Sequence, residues 1–430
     1  MKFYLSCIEC GSTYSTEDIR FFCECGGLLD IEPDKDEWEE VYGSKNYFQL
    51  IDYRSSRHNS GVWRYKDFVG INARKREIIT RNEGSTGIYM VRQISEWTGV
   101  ESLEIKHEGE NPTGSFKDRG MTVAMTRALQ HGVKVVACAS TGNTSASMAS
   151  YASTAGLRSI VLIPVGSVSG NKLSQAVAYG AKTVEIEGDF DKGMKLVLDC
   201  AREGRLYPMN SVNPYRIEGQ KTIIMELLHQ RKWMPPDWII FPAGNLGNYS
   251  SFGKAIEELY RNNMIMKKPR LAGVQAEGAN PFYLGFKDKF NKKYTVDADT
   301  IATAIRIGNP VNLPRAVRAI KHTDGIVTQV NDQEIMDAKA VVDRSGIGAE
   351  PASCASIAGL KKLVSEGVVK KNESVVAILT GHLLKDTDSV IAYHKGTIKG
   401  IKPVYTNKPV RIKPEMKELD KLIENLEQAE

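Results

Sequence analysis

From residue 134 onward, short apolar runs alternate with amphipathic stretches of helical period, and this alternation constrains the fold more than any other feature of the chain. Strands are expected at 134–139, 159–165, 183–186, 238–242, 270–275, 326–330 and 374–380. Helices are expected at 144–155, closed by Gly156, at 172–179, ended by Gly180, and at 191–202, ended by Gly204. Such alternation points to parallel sheets covered by helices, the α/β class. At 430 residues the chain exceeds a single core, so two principal domains are expected. Ligands of open parallel sheets sit beyond the carboxyl ends of the strands, so the residues that follow each strand carry the functional reading.

The net charge of +5 is small for this length and no Lys/Arg run adds to it, which argues against a nucleic-acid partner. No apolar stretch exceeds the length of a strand, so none would span a bilayer. The start, Met1-Lys2-Phe3-Tyr4, lacks the apolar core of a secretion signal, and a cytoplasmic location is expected. Residues 30–75 are polar and aromatic with little periodicity and read as a linker and extension wrapping the body. At the other end Met416, Leu419, Leu422, Ile423 and Leu426 repeat at helical spacing, an amphipathic helix docked on this chain or on a partner.

Four of the seven cysteines fall within the first 25 residues, as Cys7-Ile8-Glu9-Cys10 and Cys23-Glu24-Cys25. Two tight pairs can set four thiolates at the corners of a tetrahedron, the geometry Zn2+ favours with sulfur. Gly11 and Gly26-Gly27 follow the pairs and let the backbone turn. A structural zinc is expected here, against free thiols on a small hairpin. Four thiolates leave no open position for catalysis, and they suit iron as well as zinc.

Four stretches carry chemistry. The first, Asn111-Pro112-Thr113-Gly114-Ser115-Phe116-Lys117-Asp118-Arg119-Gly120, precedes a helical apolar stripe and so puts Lys117 at a helix start. The positive end of the dipole and burial both favour the neutral amine there. By spacing alone, a lysine in a polar turn is usually a solvated charge. Ser140-Thr141-Gly142-Asn143-Thr144-Ser145 follows a strand and opens a helix, either an anion cradle or a plain cap with Asn143 or Thr144 as N-cap. Gly244-Asn245-Leu246-Gly247-Asn248 does the same after 238–242 and would let backbone N–H groups converge on one phosphate, although a plain tight turn competes. Thr380-Gly381-His382 ends the last strand, where a hydroxyl can meet a ring nitrogen; His382 reads as structural before it reads as an acid or base.

Taken together, these stretches and 210–220, Asn-Ser-Val-Asn-Pro-Tyr-Arg-Ile-Glu-Gly-Gln, resemble the fold-type II pyridoxal-phosphate (PLP) enzymes over nearly the whole chain, and among them the threonine synthases, some of which carry a cysteine knuckle. The resemblance implies a tryptophan-synthase-β-like fold with two parallel-sheet α/β domains, a large one over 31–125 and 215–430 and a small one over 126–214, after a zinc knuckle at 1–30. It implies that Lys117 holds PLP as a Schiff base and then shuttles protons. Asn143 would bond the ring's phenolic oxygen, Gly244, Asn245, Leu246, Gly247 and Asn248 would wrap the cofactor phosphate, and Thr380 would meet the ring nitrogen. Arg216, Asn210 and Ser211, with Ser140 and Thr144, would bind the substrate's phosphate. The implied partner is a small phosphorylated amino acid, with neither nucleic acid nor membrane, and the implied assembly is a homodimer. The implied reaction turns O-phospho-L-homoserine and water into L-threonine and phosphate. The alternative is β-replacement on O-phosphoserine, in the manner of cysteate synthase. Three positions depart from the family pattern: Gly87 stands where proline is common, Leu246 where alanine is frequent, and Leu383 where a glycine is common. Bulky Leu383, beside the ring-nitrogen residue, is expected to alter the pocket's shape.

Overall fold

The computed structural model describes residues 2–34, 37, 51–52, 59–166, 170–188 and 190–428. Strands β1 (Phe3–Cys7), β2 (Thr13–Ser15) and β3 (Leu29–Pro33) form a small antiparallel sheet in the order β2-β1-β3. The body holds two further sheets. The larger comprises β4 (Ile88–Tyr89), β5 (Ser102–His107), β10 (Trp238–Pro242), β11 (Arg270–Ala276), β12 (Ile326–Val330) and β13 (Ser374–Leu379), in the order β12-β11-β10-β13-β5-β4. The smaller comprises β6 (Val135–Ala139), β7 (Arg158–Pro164), β8 (Lys182–Ile186) and β9 (Tyr207–Pro208), in the order β8-β7-β6-β9. Every pairing in these two sheets is parallel except β4 with β5.

All seven expected strands form, with bounds within two residues of those read from the sequence. The reason is visible in β10, whose five residues are all buried. A parallel strand covered by helices on both faces needs an unbroken apolar run, and such runs are easily seen. The helices that cover the sheets are α1 (Arg92–Thr98), α2 (Lys117–Gln130), α3 (Asn143–Ala155), α4 (Gly170–Ala178), α5 (Phe190–Arg202), α6 (Pro214–Gln230), α7 (Gly247–Arg261), α8 (Pro281–Lys287), α9 (Leu313–Thr323), α10 (Asp332–Arg344), α11 (Pro351–Ser365) and α12 (Thr387–Lys395). Met121, Ala124, Met125 and Ala128 of α2 share a core with β6, α3 and the cysteine-bearing sheet.

Two glycines position the site. A Cβ on Gly219 of α6 would lie 2.0 Å from the Arg119 carbonyl oxygen, and one on Gly120 of α2 would lie 2.7 Å from that of Arg216. The two helices therefore cross in near backbone contact, which brings Lys117 and Arg216 to one place. Beneath the crossing lies a buried charge cluster. Arg119 donates to both oxygens of Glu108, at 2.7 and 2.8 Å, and to Glu226 at 2.7 Å, while Lys106 donates to Glu226 at 2.8 Å. Two cations and two anions balance within it, which is the condition for burying charge at all.

Two expectations gain detail. Within the 30–75 stretch Trp63, Tyr65, Phe68 and Val69 are buried, and the Trp63 indole donates to Thr122 of α2 at 2.8 Å, so this part of the extension packs into the body. Aromatic content marked burial there, while a 3-10 turn over Trp63–Phe68 hid the periodicity. Much of the remaining 30–75 stretch lies outside the described residues. The terminal helix α13 (Met416–Glu427) forms, but Met416, Leu419, Ile423 and Leu426 are exposed, so its apolar stripe is not docked on the described part of this chain. No helix among the described residues is long and apolar enough to cross a membrane.

Candidate active site

The carboxyl ends of β6, β10 and β13 open on one cavity of about 1240 Å3. Every residue that the resemblance assigns to cofactor or substrate borders it. Lys117 is the first residue of α2, and only part of its side chain is exposed, toward the cavity. Its Nζ makes no hydrogen bond or ion pair among the described residues and lies 4.4 Å from the centroid of the Phe116 ring. Loss of hydration, then the charge of Arg216, lowers its pKa to about 7, against an opposing pull from Glu350.

Arg216 lies in the first turn of α6 with its guanidinium buried. Nη1 donates to the Met209 carbonyl at 2.9 Å, while Nε and Nη2 have no partner among the described residues. Burial brings its pKa down to about 10. A buried guanidinium with two unshared N–H edges is costly unless an anion completes it.

Asn143 is the first helical residue of α3. Neither it nor Thr144 caps the helix; Gly142 stands at the cap. Asn143 already lies within the helix, and its Nδ2 donates to both carboxylate oxygens of Glu350, at 2.9 and 3.1 Å. Burial raises the Glu350 pKa, and a neutral amide only partly compensates its charge. Thr380 follows β13, and its hydroxyl lies 3.0 Å from Ser353 Oγ, which also accepts from the Thr380 and Gly381 N–H groups. Glu350 and Ser353, at the start of α11, are functional neighbours the sequence reading missed. A glutamate before a proline-opened, alanine-rich helix looks like an ordinary helix start, and only the packing of α11 on β13 brings it to the site, within reach of Asn143.

The loop after β10 enters α7 through Leu246, whose φ of 62° is left-handed and whose side chain is buried in the core. Glycine is the usual choice there; here core packing holds the strained backbone. Asn245 ties the loop down, donating to Ser211 Oγ at 2.8 Å and accepting from the Val311 N–H at 2.8 Å. Asn210 is differently occupied: its amide donates to the Ala139 carbonyl at 2.9 Å and accepts from the Ala139 N–H at 3.1 Å. It clamps the end of β6, which leaves one N–H and one lone pair of the amide for a ligand. His382 Nδ1 accepts from the Leu384 N–H at 3.2 Å, which fits the structural reading. Leu383 does not border the cavity; it packs over Gly348, so the expected change of pocket shape does not occur.

Outside the cavity, the sulfurs of Cys7, Cys10, Cys23 and Cys25 all lie within 4.8 Å of one another. Cys7 and Cys25 are 3.6 Å apart, and Cys10 and Cys23 3.5 Å. These separations exceed a disulfide and approach the roughly 3.8 Å edge of a tetrahedron with metal–sulfur bonds of about 2.3 Å. The donor set suits a four-thiolate metal.

A family model described as pyridoxal-phosphate dependent enzyme matches residues 79–381. The chain is 44% identical over 395 residues to the threonine synthase of Methanocaldococcus jannaschii, covering 91% of this chain and 95% of the relative. It is 43% identical over 392 residues to that of Methanosarcina acetivorans, covering 90% and 94%. Among solved structures, a diaminopropionate ammonia lyase from Escherichia coli matches with a TM-score of 0.62 over 92% of this chain and 98% of that one; at 13% identity this speaks for the fold alone. The chain belongs to the pyridoxal-phosphate dependent enzymes and, within them, to the threonine synthases.

Proposed function

We propose that the chain converts O-phospho-L-homoserine and water to L-threonine and phosphate, with the residue roles expected from the sequence. The observation that carries the reading is a near-neutral amine, Lys117, and a buried guanidinium with unshared N–H edges, Arg216, facing one cavity. The residues present fit PLP. Lys117 supplies the amine for a Schiff base, and Asn143 an amide held by Glu350. Thr380 supplies a hydroxyl fixed by Ser353, and residues 244–248 open α7 with N–H groups that have no partner among the described residues and suit a phosphate ester. When bound, that cofactor draws off the electron pair left on a substrate carbon that loses its proton.

The chain's own residues do the rest. With a pKa of about 7, Lys117 Nζ is poised both to take and to return protons near neutral pH. Arg216 presents a planar fork that holds the substrate's phosphate before and after it leaves, with Ser140, Thr144, Ser211 and Asn210 around it, Asn210 also clamping the end of β6. Thr380 contributes a hydroxyl, which does not force a ring nitrogen to stay protonated as a carboxylate would. The division into a large body over 31–125 and 215–430 and a small one over 126–214, and the homodimer, rest on the family resemblance; the zinc knuckle at 1–30 rests on the four cysteines, and a cytoplasmic location completes the reading.

The test is phosphate release by the purified protein, with O-phosphohomoserine and O-phosphoserine compared and the amino-acid product identified. Threonine from phosphohomoserine is the expected result. Release from phosphoserine alone, dependent on a nucleophile such as sulfite, would move the enzyme to the β-replacement class.

A further inference from the structure

Gln220 has no role in the reading so far. It lies one helical turn beyond Arg216 on α6, so the two side chains leave the same face. It is 1% exposed, it borders the cavity, and neither its amide nitrogen nor its amide oxygen has a partner among the described residues. Its neighbours are in the same condition: Nε and Nη2 of Arg216 and Oδ1 of Asn248 are buried and unpartnered. A Cβ on Gly247, the first residue of α7, would sit 3.2 Å from the Gln220 amide oxygen. The amide thus lies between the guanidinium and the amino end of a 15-residue helix.

Leaving both ends of a primary amide buried and unshared is unfavourable, and a methionine of the same length would fill the space without that cost. Three donors converge here: the guanidinium edges, the amide NH2 and the first N–H groups of α7. The amide's two ends exchange by a half-turn of its last bond, so the NH2 can face the helix end. One anion with several acceptor oxygens satisfies all three at once, and its charge suits a guanidinium and a helix amino end.

We propose that Gln220 is a ligand for a phosphate monoester dianion seated between Arg216 and the amino end of α7. This rests on the reading of that cavity as a phosphate site. The phosphate belongs either to the cofactor or to the substrate, and the two are separated by experiment. Gln220→Met and Gln220→Glu are prepared alongside the native protein. The affinity of each for PLP is titrated, and the binding of inorganic phosphate to each loaded enzyme is measured by calorimetry. Gln220→Met is expected to melt, without cofactor, at or above the native temperature, because two unsatisfied atoms are gone. Its affinity for PLP, for inorganic phosphate, or for both should fall by about 10- to 100-fold, the range for a hydrogen bond to a charged group. The affinity that falls names the phosphate. Gln220→Glu should lose more, since it adds a like charge. Unchanged affinity for both ligands in the methionine variant, or native-like binding by the glutamate variant, overturns the assignment. Both titrations read Gln220 directly, so they stand even if the native enzyme makes no threonine; a native enzyme that does make it, with variants that bind normally, refutes Gln220 alone.

Discussion

Replacing Lys117 by methionine in cofactor-free protein should raise stability, by a margin that widens as the solution is acidified. Burial and the charge of Arg216 lower the amine's pKa from 10.5 to about 7, with Glu350 opposing. In the unfolded chain the amine keeps its ordinary value. Between about pH 7 and pH 10.5 the unfolded state therefore binds the additional proton, and the native protein gains stability as pH rises. Integrated from about pH 9 down to about pH 6, this one group removes about 3 kcal/mol from the native fold. Lys117→Met has no such group, and its side chain is close in size. All other titrations cancel in the difference between the two proteins, apart from the part of Glu350's that depends on Lys117. Urea denaturation of both proteins, stripped of cofactor and measured across this pH range, reads the effect. The methionine protein should gain about 3 kcal/mol on the native one from the alkaline to the acid end. Parallel curves would refute the reasoning: Nζ would then keep an ordinary pKa, and burial at the start of α2 would not prepare this lysine for the Schiff-base role proposed for it.

Arg216→Met should lower kcat/KM for phosphohomoserine by about 100- to 1,000-fold while leaving the cofactor-free melting temperature unchanged or raised, because a guanidinium with unshared edges is removed. Glu226→Gln unbalances the cluster beneath the helix crossing, leaving Arg119 and Lys106 short of one charge, and should lose about 3–5 kcal/mol by urea denaturation. Cys23→Ser should lower the melting temperature more than it lowers the turnover of protein that remains folded; unchanged melting with collapsed turnover would contradict a structural metal. Leu383→Gly should leave the ratio of kcat/KM for phosphohomoserine and phosphoserine unchanged, since Leu383 faces Gly348 and not the cavity.

The strands were legible because β10 and its parallel neighbours are buried on both faces, which admits only apolar runs. Lys117, Arg216 and the loop into α7 were legible for a different reason: their motifs follow strands or open helices, where parallel sheets gather ligands. What stayed hidden depends on contacts between segments distant in sequence. Asn143 and Glu350 are 207 residues apart, and Ser353 and Thr380 are 27 apart. No local pattern distinguishes Glu350 from a helix-starting glutamate. Asn210 shows the converse, a residue that borders the cavity as its motif suggests while half of its amide is spent on the backbone of β6, which the motif does not reveal.

Leu383 makes the same point about departures from a family pattern. Next to Thr380 in sequence, a bulky residue in place of glycine suggests a narrowed pocket. The chain turns at His382, whose Nδ1 accepts from the Leu384 N–H, and this short 3-10 turn sends the side chain of Leu383 toward Gly348. Leu384, Lys385 and Asp386 return to the cavity wall. Lys385 there donates to the Thr113 carbonyl at 3.1 Å and to Gln175 of α4, so the segment joins the lysine motif to the helices over the smaller sheet. Sequence adjacency to a ligand-facing residue therefore carries little information at a turn. The residues of this segment that line the cavity are Leu384, Lys385 and Asp386, which the turn returns to it, while Leu383 packs over Gly348 behind the wall.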